Sequence, residues 1–519
     1  MKPTKLQEYT EKIKEILDTS FNADQKQLAL EILEKANPHN LEAIFSLLTK
    51  RIDVGFVFDI APEIQHDAIC LLKHDTKLSF TPALCTQSHA MIFGENYDAL
   101  KNLLVLYRGC VDCIYIDPPY NTESTKQDGN DYKSKENTSG KFGYRDKFMR
   151  TGWLNMLNER LKLARDLLSP NGVIFISIDD SEQAYLKVLC DEIFGEGNFV
   201  GDFIRKTKST TNDAKIGVNY QHEFLLGYAK NKISVNLRGE QKDLSHYTNP
   251  DNDPNGAWAA DNPSAKSGNP KTGYFGVTNP YTGKVDYPPT GMFWRFSEKT
   301  LQKHIESGRI CFKKEHAPHE RGFIYKRYLS DLKSTQKTFD SLAFVDNAYM
   351  NQAATKELLD LGMAESFNYP KSTAFIQKIL LHATSPNSLI LDFYAGSGTT
   401  GQAVMELNRE DGGNRRCILV TSNENNIAKG VMYERIYRIC HGVGTKNETF
   451  EWTKKNEPFK DQGWEVFKMD RHSLKIDDQQ KAENLAKQAE KSFKILKPGF
   501  TFESDFDLYH SLSSLKPYK

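Results

Sequence analysis

A short apolar run that ends in two prolines constrains this chain of 519 residues more than any other feature. Residues 113–116, Cys-Ile-Tyr-Ile, are typical of a buried strand, and Asp117-Pro118-Pro119-Tyr120 follows them directly. The strand must end there, because proline fixes φ near about −65° and has no N–H to donate to a sheet. The Asp117 carboxylate and the Pro118 carbonyl then form a rigid pair of acceptors beside the ring of Tyr120. An ordinary strand end with a capping Asp is one interpretation, and a site for a planar ligand with an amino group is the other.

A second apolar run, residues 389–391, ends at Asp392 and enters a glycine-rich turn. Gly396, Gly398 and Gly401 match the G-x-G-x-x-G spacing of dinucleotide-binding loops, so a dehydrogenase that uses NAD is one candidate. Asp392 argues against it, because a carboxylate at the strand tip would repel the pyrophosphate that such a loop attracts. The same carboxylate suits a cation, and S-adenosylmethionine carries an ammonium and a sulfonium without any phosphate.

A further acidic residue follows the next strand-like run. Glu424 lies after residues 417–421, at 424 − 398 = 26 residues beyond Gly398. This distance suits a carboxylate that binds ribose hydroxyls from the neighbouring strand tip, although a surface glutamate is the simpler interpretation. The glycine turn, Asp392 and Glu424 together predict a nucleoside site that prefers positive charge.

At these residues the sequence resembles the adenine-specific DNA methyltransferases. Asp117-Pro118-Pro119-Tyr120 is similar to their motif for the target amino group, and residues 392–398 are similar to their cofactor loop. The first motif precedes the second by 392 − 117 = 275 residues, which is the order of the permuted β group. The resemblance covers residues 85–470 and is strongest to the modification (Mod) subunits of type III restriction systems. Three segments carry that narrower resemblance, namely residues 94–96, 367–372 and 421–426.

The resemblance implies an enzyme that moves a methyl group from S-adenosylmethionine to the exocyclic amine of adenine in double-stranded DNA, after base flipping. Related cytosine-amino methyltransferases usually carry Ser at position 117, so Asp117 favours adenine. The catalytic residues implied are Asp117, Pro118, Pro119 and Tyr120. The cofactor-binding residues implied are Glu95, Asn96, Lys371, Asp392, Phe393, Ala395, Gly396, Ser397, Gly398, Thr399 and Glu424. A simple glycine turn before Glu95 and a solvated Lys371 remain alternatives.

The resemblance also implies a homodimer in the cytoplasm, with a restriction (helicase–nuclease) subunit as partner. A protein from another class remains a rival, namely a nonenzymatic DNA-specificity subunit that has kept the fold. The intact motifs at Asp117 and at the glycine turn argue against that rival.

Strands and helices alternate from about residue 88, which predicts a parallel, doubly wound α/β sheet. The resemblance makes it a Rossmann-like class I methyltransferase sheet, circularly permuted, with an inserted target recognition domain and a helical N-terminal region. Strands at 389–391 and 417–421 are expected beside strand 112–116, so that the glycine turn and Asp117 share one cleft. The predicted regions are 1–60 (helical), 61–231 and 367–445 (methyltransferase domain), 232–366 (inserted domain) and 446–519 (C-terminal extension).

The inserted range differs in composition from the rest, with many Asn, Pro, Gly, Tyr and Lys residues. Within it, Arg321, Lys326 and Arg327 alternate with aromatic residues, a pattern that favours phosphate contacts and base stacking. A solvated charged face is the simpler interpretation. The polar, lysine-rich residues 122–150 are a second candidate for a loop that faces DNA.

Overall charge and cysteine usage exclude some classes of function. The 68 basic and 68 acidic side chains cancel, so contacts with nucleic acid must come from local patches. No apolar stretch approaches the roughly 18 residues of a membrane span, which predicts a protein outside the membrane. Cys110 and Cys113 form a C-x-x-C without a second pair at zinc-site spacing, so we expect no metal site.

Overall fold

The computed structural model describes residues 5–14, 23–41, 44, 45, 48, 68–82, 85, 88–120, 150–210, 218–235, 237–473 and 479–501. These residues form two compact units, the first from residues 1–235, 345–376 and 386–519, the second from residues 236–344 and 377–385. The predicted DNA-facing loop at residues 122–150 lies almost entirely outside the described residues.

Among the described residues, one mixed sheet dominates the first unit. Its strands, numbered in chain order, are β1 (Ala68–His74), β2 (His89–Phe93), β3 (Val111–Ile116), β4 (Leu168–Ile178), β5 (Phe199–Lys206), β6 (His222–Ala229), β14 (Leu389–Asp392), β15 (Arg416–Thr421) and β16 (Trp464–Ser473); the second unit contributes β7 to β13. The order across the sheet is β1-β16-β2-β15-β14-β3-β4-β6-β5. The strands from β16 to β4 in this order are mutually parallel, whereas β1 and β6 are antiparallel to their neighbours.

Helices cover this sheet and explain why its central strands are continuously apolar. The α-helices within the described residues are Lys5–Lys14, Ala23–Glu34, Asn96–Tyr107, Arg150–Leu167, Gln183–Phe194, Glu298–Glu306, Asn351–Asp360, Thr373–Ala383, Thr399–Asp411, Glu434–His441, Trp452–Lys455 and Gln479–Leu496, with a π-helix at Ile427–Tyr433. The helix Arg150–Leu167 buries Trp153, Leu157, Leu161 and Ala164, which recur at helical spacing. Burial of each leucine stabilises the fold by about 1.5–3 kcal/mol.

The C-terminal strands complete the sheet that the earlier strands begin. Ile390 of β14 pairs with Cys113 of β3, and Leu391 pairs with Ile114. From β14 the chain continues to β15 on one side, whereas from β3 it continues to β4 on the other. The boundary between β14 and β3 is therefore a topological switch point, where ligands bind beyond the carboxyl ends of the strands. The permuted α/β sheet expected from the sequence is confirmed by this strand order.

The region predicted as a C-terminal extension is not structurally separate from the sheet. β16 pairs in parallel with β2 and antiparallel with β1, although it lies beyond the predicted boundary at residue 445. At the other end of the chain, two described helices of the predicted helical region pack through Tyr9, Ile13, Ala29 and Leu33. Among the described residues, no helix is both long and apolar enough to cross a membrane.

The second unit consists of short strands around a small aromatic core. Its strands are β7 (Trp258–Asp261), β8 (Ser264–Ala265), β9 (Val277–Thr278), β10 (Val285–Asp286), β11 (Phe293–Trp294), β12 (Ile310–Phe312) and β13 (Phe323–Tyr328). The core is formed by Val277, Trp294, Phe296, Ile310 and Phe323.

Most of the second unit lies inside the predicted insert of residues 232–366, but residues 345–366 belong to the first unit. The reason is a set of hydrogen bonds to β5 and its end. Arg205 donates through Nε to the Tyr349 carbonyl at 2.9 Å, and the Asn351 amide donates to the Thr207 carbonyl at 3.1 Å. The role of the second unit in target recognition stays a prediction.

Candidate active site

The Asp117 motif and the glycine turn meet at one edge of the sheet. Asp117 follows β3 and Phe393 follows β14, and these two strands are parallel neighbours. The Asp117 side chain is 25% exposed at this edge, whereas Pro118 is buried. Trp153 donates its indole N–H to the Pro119 carbonyl at 2.6 Å and so fixes the motif to the helix Arg150–Leu167. The two motifs therefore lie side by side at the carboxyl ends of neighbouring strands, and the cleft that they are expected to share stays a prediction.

A compact group of charged side chains surrounds the Asp117 carboxylate. Lys371 Nζ lies 2.9 Å from Asp117 Oδ1, 2.9 Å from the Tyr120 hydroxyl and 3.6 Å from Glu223 Oε2. The Tyr120 hydroxyl donates to Asp117 Oδ1 at 2.8 Å. Arg205 Nη1 forms an ion pair with Glu223 Oε2 at 2.8 Å. We call Asp117, Tyr120, Lys371, Glu223 and Arg205 the Asp117 cluster.

Burial and opposite charges set the protonation states in this cluster. Burial raises the pKa of the Tyr120 hydroxyl well above its usual value, and the carboxylates of Asp117 and Glu223 raise it further. Burial alone would raise the pKa of Glu223, but the cations Lys371 and Arg205 outweigh it and the net pKa is lowered. Near neutral pH the tyrosine therefore stays a neutral hydrogen-bond donor and Glu223 stays ionised.

The glycine turn has a backbone that only glycine adopts easily. Gly396 and Gly398 have φ values of +49° and +78°. A Cβ atom at Gly396 would lie 2.9 Å from the Phe367 ring, so that residue cannot grow without displacing the ring. Gly398 is the N-cap of the helix Thr399–Asp411, whose first N–H groups point out of the turn.

Buried polar side chains stabilise this glycine turn through hydrogen bonds. Arg435 is fully buried and donates to Thr399 Oγ1 at 2.9 Å and to Ser397 Oγ at 3.4 Å. It also forms an ion pair with Glu357 at 3.1 Å. Thr399 in turn donates to the Lys371 carbonyl at 3.2 Å. The turn is thereby connected to the segment that carries Lys371.

Asp392 does not face the cleft as the sequence suggested. It is 2% exposed, and its two oxygens accept hydrogen bonds from the Tyr394 amide at 3.0 Å and the Thr400 hydroxyl at 2.6 Å. Burial raises the pKa of this carboxyl to about 7, and the nearby Asp117 charge adds to the increase. Asp392 is therefore enclosed and stabilises the turn through its own hydrogen bonds, and its predicted role in cofactor binding stays a prediction.

Glu95 and Asn96 follow β2, and both contact Arg160. Asn96 is fully buried, donates to the Phe393 carbonyl at 3.0 Å and accepts from Arg160 Nε at 2.5 Å. Glu95 accepts from Arg160 Nη2 at 2.6 Å and remains partly exposed. Asn96 stabilises the start of the glycine turn through its buried hydrogen bond to Phe393. The Glu95 side chain, in contrast, remains accessible to a ligand.

Glu424 is exposed in the turn after β15, beyond the carboxyl end of that strand. Asn425 and Asn426 follow it with φ values of +50° and +62°, so the chain reverses sharply there. The position agrees with the expected contact to ribose hydroxyls, and that contact stays a prediction.

Comparison with known proteins decides the family. The profile of a family described as DNA methylase matches residues 111–441, well over half of the chain. This chain belongs to the DNA methylase family. A second profile, described as an uncharacterised conserved protein, matches residues 6–113.

Two curated relatives and one solved structure illustrate the similarity. The type III restriction-modification enzyme StyLTI Mod subunit of Salmonella typhimurium is 34% identical over 421 residues, 75% of this chain and 60% of the relative. The type II methyltransferase M.KpnI of Klebsiella pneumoniae is 32% identical over 372 residues, 68% of this chain and 85% of the relative. The solved PvuII DNA methyltransferase (cytosine-N4-specific) is 12% identical with a TM-score of 0.30, over 66% of this chain and 86% of that one. That score is too low for residue positions to be compared. The resemblance to Mod subunits is confirmed, and the chain spans about 60% of the length of the StyLTI Mod subunit.

One of the three DNA-contacting residues predicted for this chain is enclosed inside the second unit. Lys326 is 2% exposed, and its ammonium lies 2.5 Å from Asp251 and 2.6 Å from Asp253. Burial would lower the pKa of Lys326, but the hydrogen bonds to these two carboxylates outweigh it and raise the pKa. Lys326 is thus poorly placed for a phosphate contact, because its buried ammonium is already paired with two carboxylates.

The other two predicted DNA contacts differ from Lys326 in exposure. Arg327 is exposed on the opposite side of β13. Arg321 is partly buried, and its guanidinium lies 5.6 Å from the ring centroids of Trp294 and Phe323. Arg327 is thus the best placed of the three for an approaching phosphate.

Sequence reasoning missed Arg205 and Glu223 of the Asp117 cluster. They lie opposite each other on the antiparallel strands β5 and β6. Each is a charged residue beside apolar neighbours: Arg205 follows Phe203 and Ile204, and Glu223 precedes residues 224–226, Phe-Leu-Leu. A charge at such a strand position is a usable signal, because a buried charge needs a partner.

Proposed function

We propose that this chain transfers the methyl group of S-adenosylmethionine to the exocyclic amine of adenine in double-stranded DNA. The observation that carries the proposal is the Asp117 carboxylate, partly exposed at the switch point of the sheet and adjacent to the glycine turn. Membership of the DNA methylase family supports it. The substrate, the cofactor and the activity of this chain are all part of the proposal.

The residues around the glycine turn fit S-adenosylmethionine by charge. Glu95 and Glu424 are acidic, at least partly exposed, and follow the neighbouring strands β2 and β15. Carboxylates at these positions suit hydroxyl groups and an ammonium, and disfavour a pyrophosphate. The bound cofactor would supply an electrophilic methyl group on its sulfonium.

The chain's own residues would then act on the target base. The amine of adenine lies inside the base stack, so the base must leave the duplex before Asp117 can reach it. Asp117 would accept an N–H of the amine, orient the nitrogen lone pair and stabilise the positive charge that develops there. The ring of Tyr120 offers a surface on which a planar base can stack.

The test of this proposal is transfer of a tritiated methyl group to DNA, followed by analysis of the methylated nucleoside. We expect N6-methyladenine, and N4-methylcytosine would correct the target base. Asp166→Asn, which alters an exposed ion pair to Arg108, is the matched control and should retain activity. A folded protein that binds S-adenosylmethionine but transfers nothing would favour the nonenzymatic specificity subunit instead.

We further propose that the chain is the modification subunit of a type III restriction-modification system, on the strength of its similarity to the StyLTI Mod subunit. A methyltransferase without a restriction subunit is the second candidate, because the matched region covers 85% of M.KpnI but 60% of the StyLTI subunit. Copurification of a helicase–nuclease subunit from the source cells separates the two. A homodimer located in the cytoplasm is proposed on the family resemblance alone, and sedimentation of the purified protein tests the dimer.

A further inference from the structure

We infer that Lys371 is a positioning residue for the methyl-transfer reaction. Its ammonium aims the Asp117 carboxylate at the target amine, within a cluster of charges that Glu223 and Arg205 keep neutral overall. This inference rests on the proposed function and assigns Lys371 a role different from direct cofactor binding.

The hydrogen bonds described for Asp117 are concentrated on one oxygen. Lys371 Nζ and the Tyr120 hydroxyl both contact Oδ1, at 2.9 and 2.8 Å. Two donors on Oδ1 fix the rotation of the carboxyl group and direct Oδ2 away from them. Oδ2 is then the oxygen that can accept an N–H from a base stacked near Tyr120.

The ammonium of Lys371 is itself held on several sides. Its side chain is 7% exposed, and Nζ lies 4.9 Å from the centroid of the Tyr120 ring. Its carbonyl accepts from Thr399, the first residue of the helix after the glycine turn. Lys371 therefore connects the cofactor turn, through its backbone, to the acceptor carboxylate, through its side chain.

Charge balance explains why Glu223 and Arg205 are present. The cluster contains two cations, Lys371 and Arg205, and two carboxylates, Asp117 and Glu223, so its formal charge is zero. Arg205 is 1% exposed and is held by Glu223 and by the Asn351 side chain at 2.7 Å. With Glu223 in place the cluster is neutral and not positive, so no net positive charge opposes the one that develops on the amine.

The groups that face Lys371 also predict a pH effect. Asp117 and Tyr120 follow β3, Glu223 lies on β6 and Arg205 lies on β5. Two further buried residues, Asp392 and Tyr115, interact electrostatically with Asp117. Without the ammonium, Asp117 would face the Glu223 carboxylate with Arg205 as the remaining cation of the cluster. The acid limb of the pH–rate profile should therefore move to higher pH when Lys371 is replaced.

The experiment compares Lys371→Met, Lys371→Arg, Glu223→Gln and the double variant Lys371→Met/Glu223→Gln with the full-length protein. Single-turnover methyl transfer, S-adenosylmethionine affinity and thermal melting are measured for each. Lys378→Met is the matched control, since Lys378 forms a separate ion pair with Glu240 at 3.1 Å. We expect Lys371→Met to slow transfer by about 10- to 100-fold, the loss of one charged hydrogen bond, with cofactor affinity unchanged.

The double variant gives the sharpest result. It restores the charge balance that Lys371→Met removes, because Asp117 and Arg205 remain, so it should transfer faster than Lys371→Met, and Lys371→Arg should recover part of the rate. Weakened cofactor affinity with an unchanged transfer step would make Lys371 a cofactor ligand and overturn the inference. A uniform loss of rate and melting temperature without a shift in the pH profile would make its role merely structural and overturn it too. If the unaltered protein transfers no methyl group, the proposed function falls and this role with it; if Lys371→Met transfers normally, this role alone falls.

Discussion

Two buried lysines in this member of the DNA methylase family have nearly the same surroundings and different consequences. Lys371 in the first unit contacts Asp117 and Glu223, and Lys326 in the second unit contacts Asp251 and Asp253. Both side chains are under 10% exposed.

The two lysines differ in what else their carboxylates contact. Asp253 also accepts from the Tyr328 hydroxyl at 2.9 Å and from the Asn255 amide at 2.9 Å, so Lys326 closes a local cluster beside β13. Asp117, in contrast, follows a parallel strand at the switch point, whereas neither Asp251 nor Asp253 lies on a strand of the large sheet. Burial and pairing of a lysine are therefore poor guides to function, and the position of its partner carboxylate in the sheet is a better one.

The largest effect that we predict from this comparison is a loss of stability of the second unit when Lys326 is replaced. Lys326→Met leaves Asp253 beside an apolar side chain, and should lower the free energy of unfolding of the second unit by about 3–4 kcal/mol, near the value for a broken buried ion pair. Urea unfolding followed by hydrogen exchange in residues 251–328 measures it. Arg327→Met, an exposed neighbour, should change stability by less than about 0.5 kcal/mol. An equally stable Lys326→Met that no longer binds DNA would reverse our assignment.

Asp392 is a third buried ionisable residue and extends the comparison of the two lysines. Its described hydrogen-bond partners are a backbone N–H and a hydroxyl. Its pKa of about 7 in the folded protein lies above the ordinary value of 3.8, so between these values the native state holds a proton that the unfolded chain has released. Stability should therefore fall as pH rises toward 7 and stay constant above it.

Asp392→Asn should remove this dependence. Relative to that variant, the unaltered protein should lose about 2–3 kcal/mol of stability between pH 5 and pH 7. Parallel unfolding curves for the two proteins at both pH values measure the difference. Identical pH dependence in the two proteins would show that Asp392 is already ionised in the fold.

The smallest expected effect concerns the exposed neighbour of Lys326. Arg327→Glu should weaken DNA binding and reduce the slope of log affinity against log salt concentration by about 1, the value for one phosphate contact. Fluorescence anisotropy at several salt concentrations measures that slope, and cofactor affinity should not change. Were the slope unaltered, the DNA-facing surface would have to be sought elsewhere, with residues 122–150 as the next candidate.

The sheet could be predicted from the sequence because the signals for its strands lie in neighbouring residues. Strand-like runs before Asp117 and Phe393 must end where proline and glycine follow, and parallel strands place such ends at one edge. The pairing of Ile390 with Cys113 agrees with that reasoning.

Two differences between prediction and structure come from contacts that lie far away in the chain, and a third comes from a nearby contact that was not recognised. Nothing near Lys326 shows that residues 251 and 253 fold back onto it, and Glu223 lies 103 positions from the Tyr120 that it contacts. Asp392 was assigned to the cleft because a strand tip was visible in sequence, whereas the hydroxyl of Thr400 that encloses it was not recognised as a partner.

The central claim is that Asp117 receives the target amine, and single-turnover transfer by Asp117→Asn tests it most directly. Asn keeps the size of the side chain but removes the charge that stabilises the developing positive nitrogen. We predict a transfer rate lower by about 10²- to 10⁴-fold, with S-adenosylmethionine affinity and melting temperature close to those of the unaltered protein. A folded Asp117→Asn that transfers methyl groups at the normal rate would contradict the account.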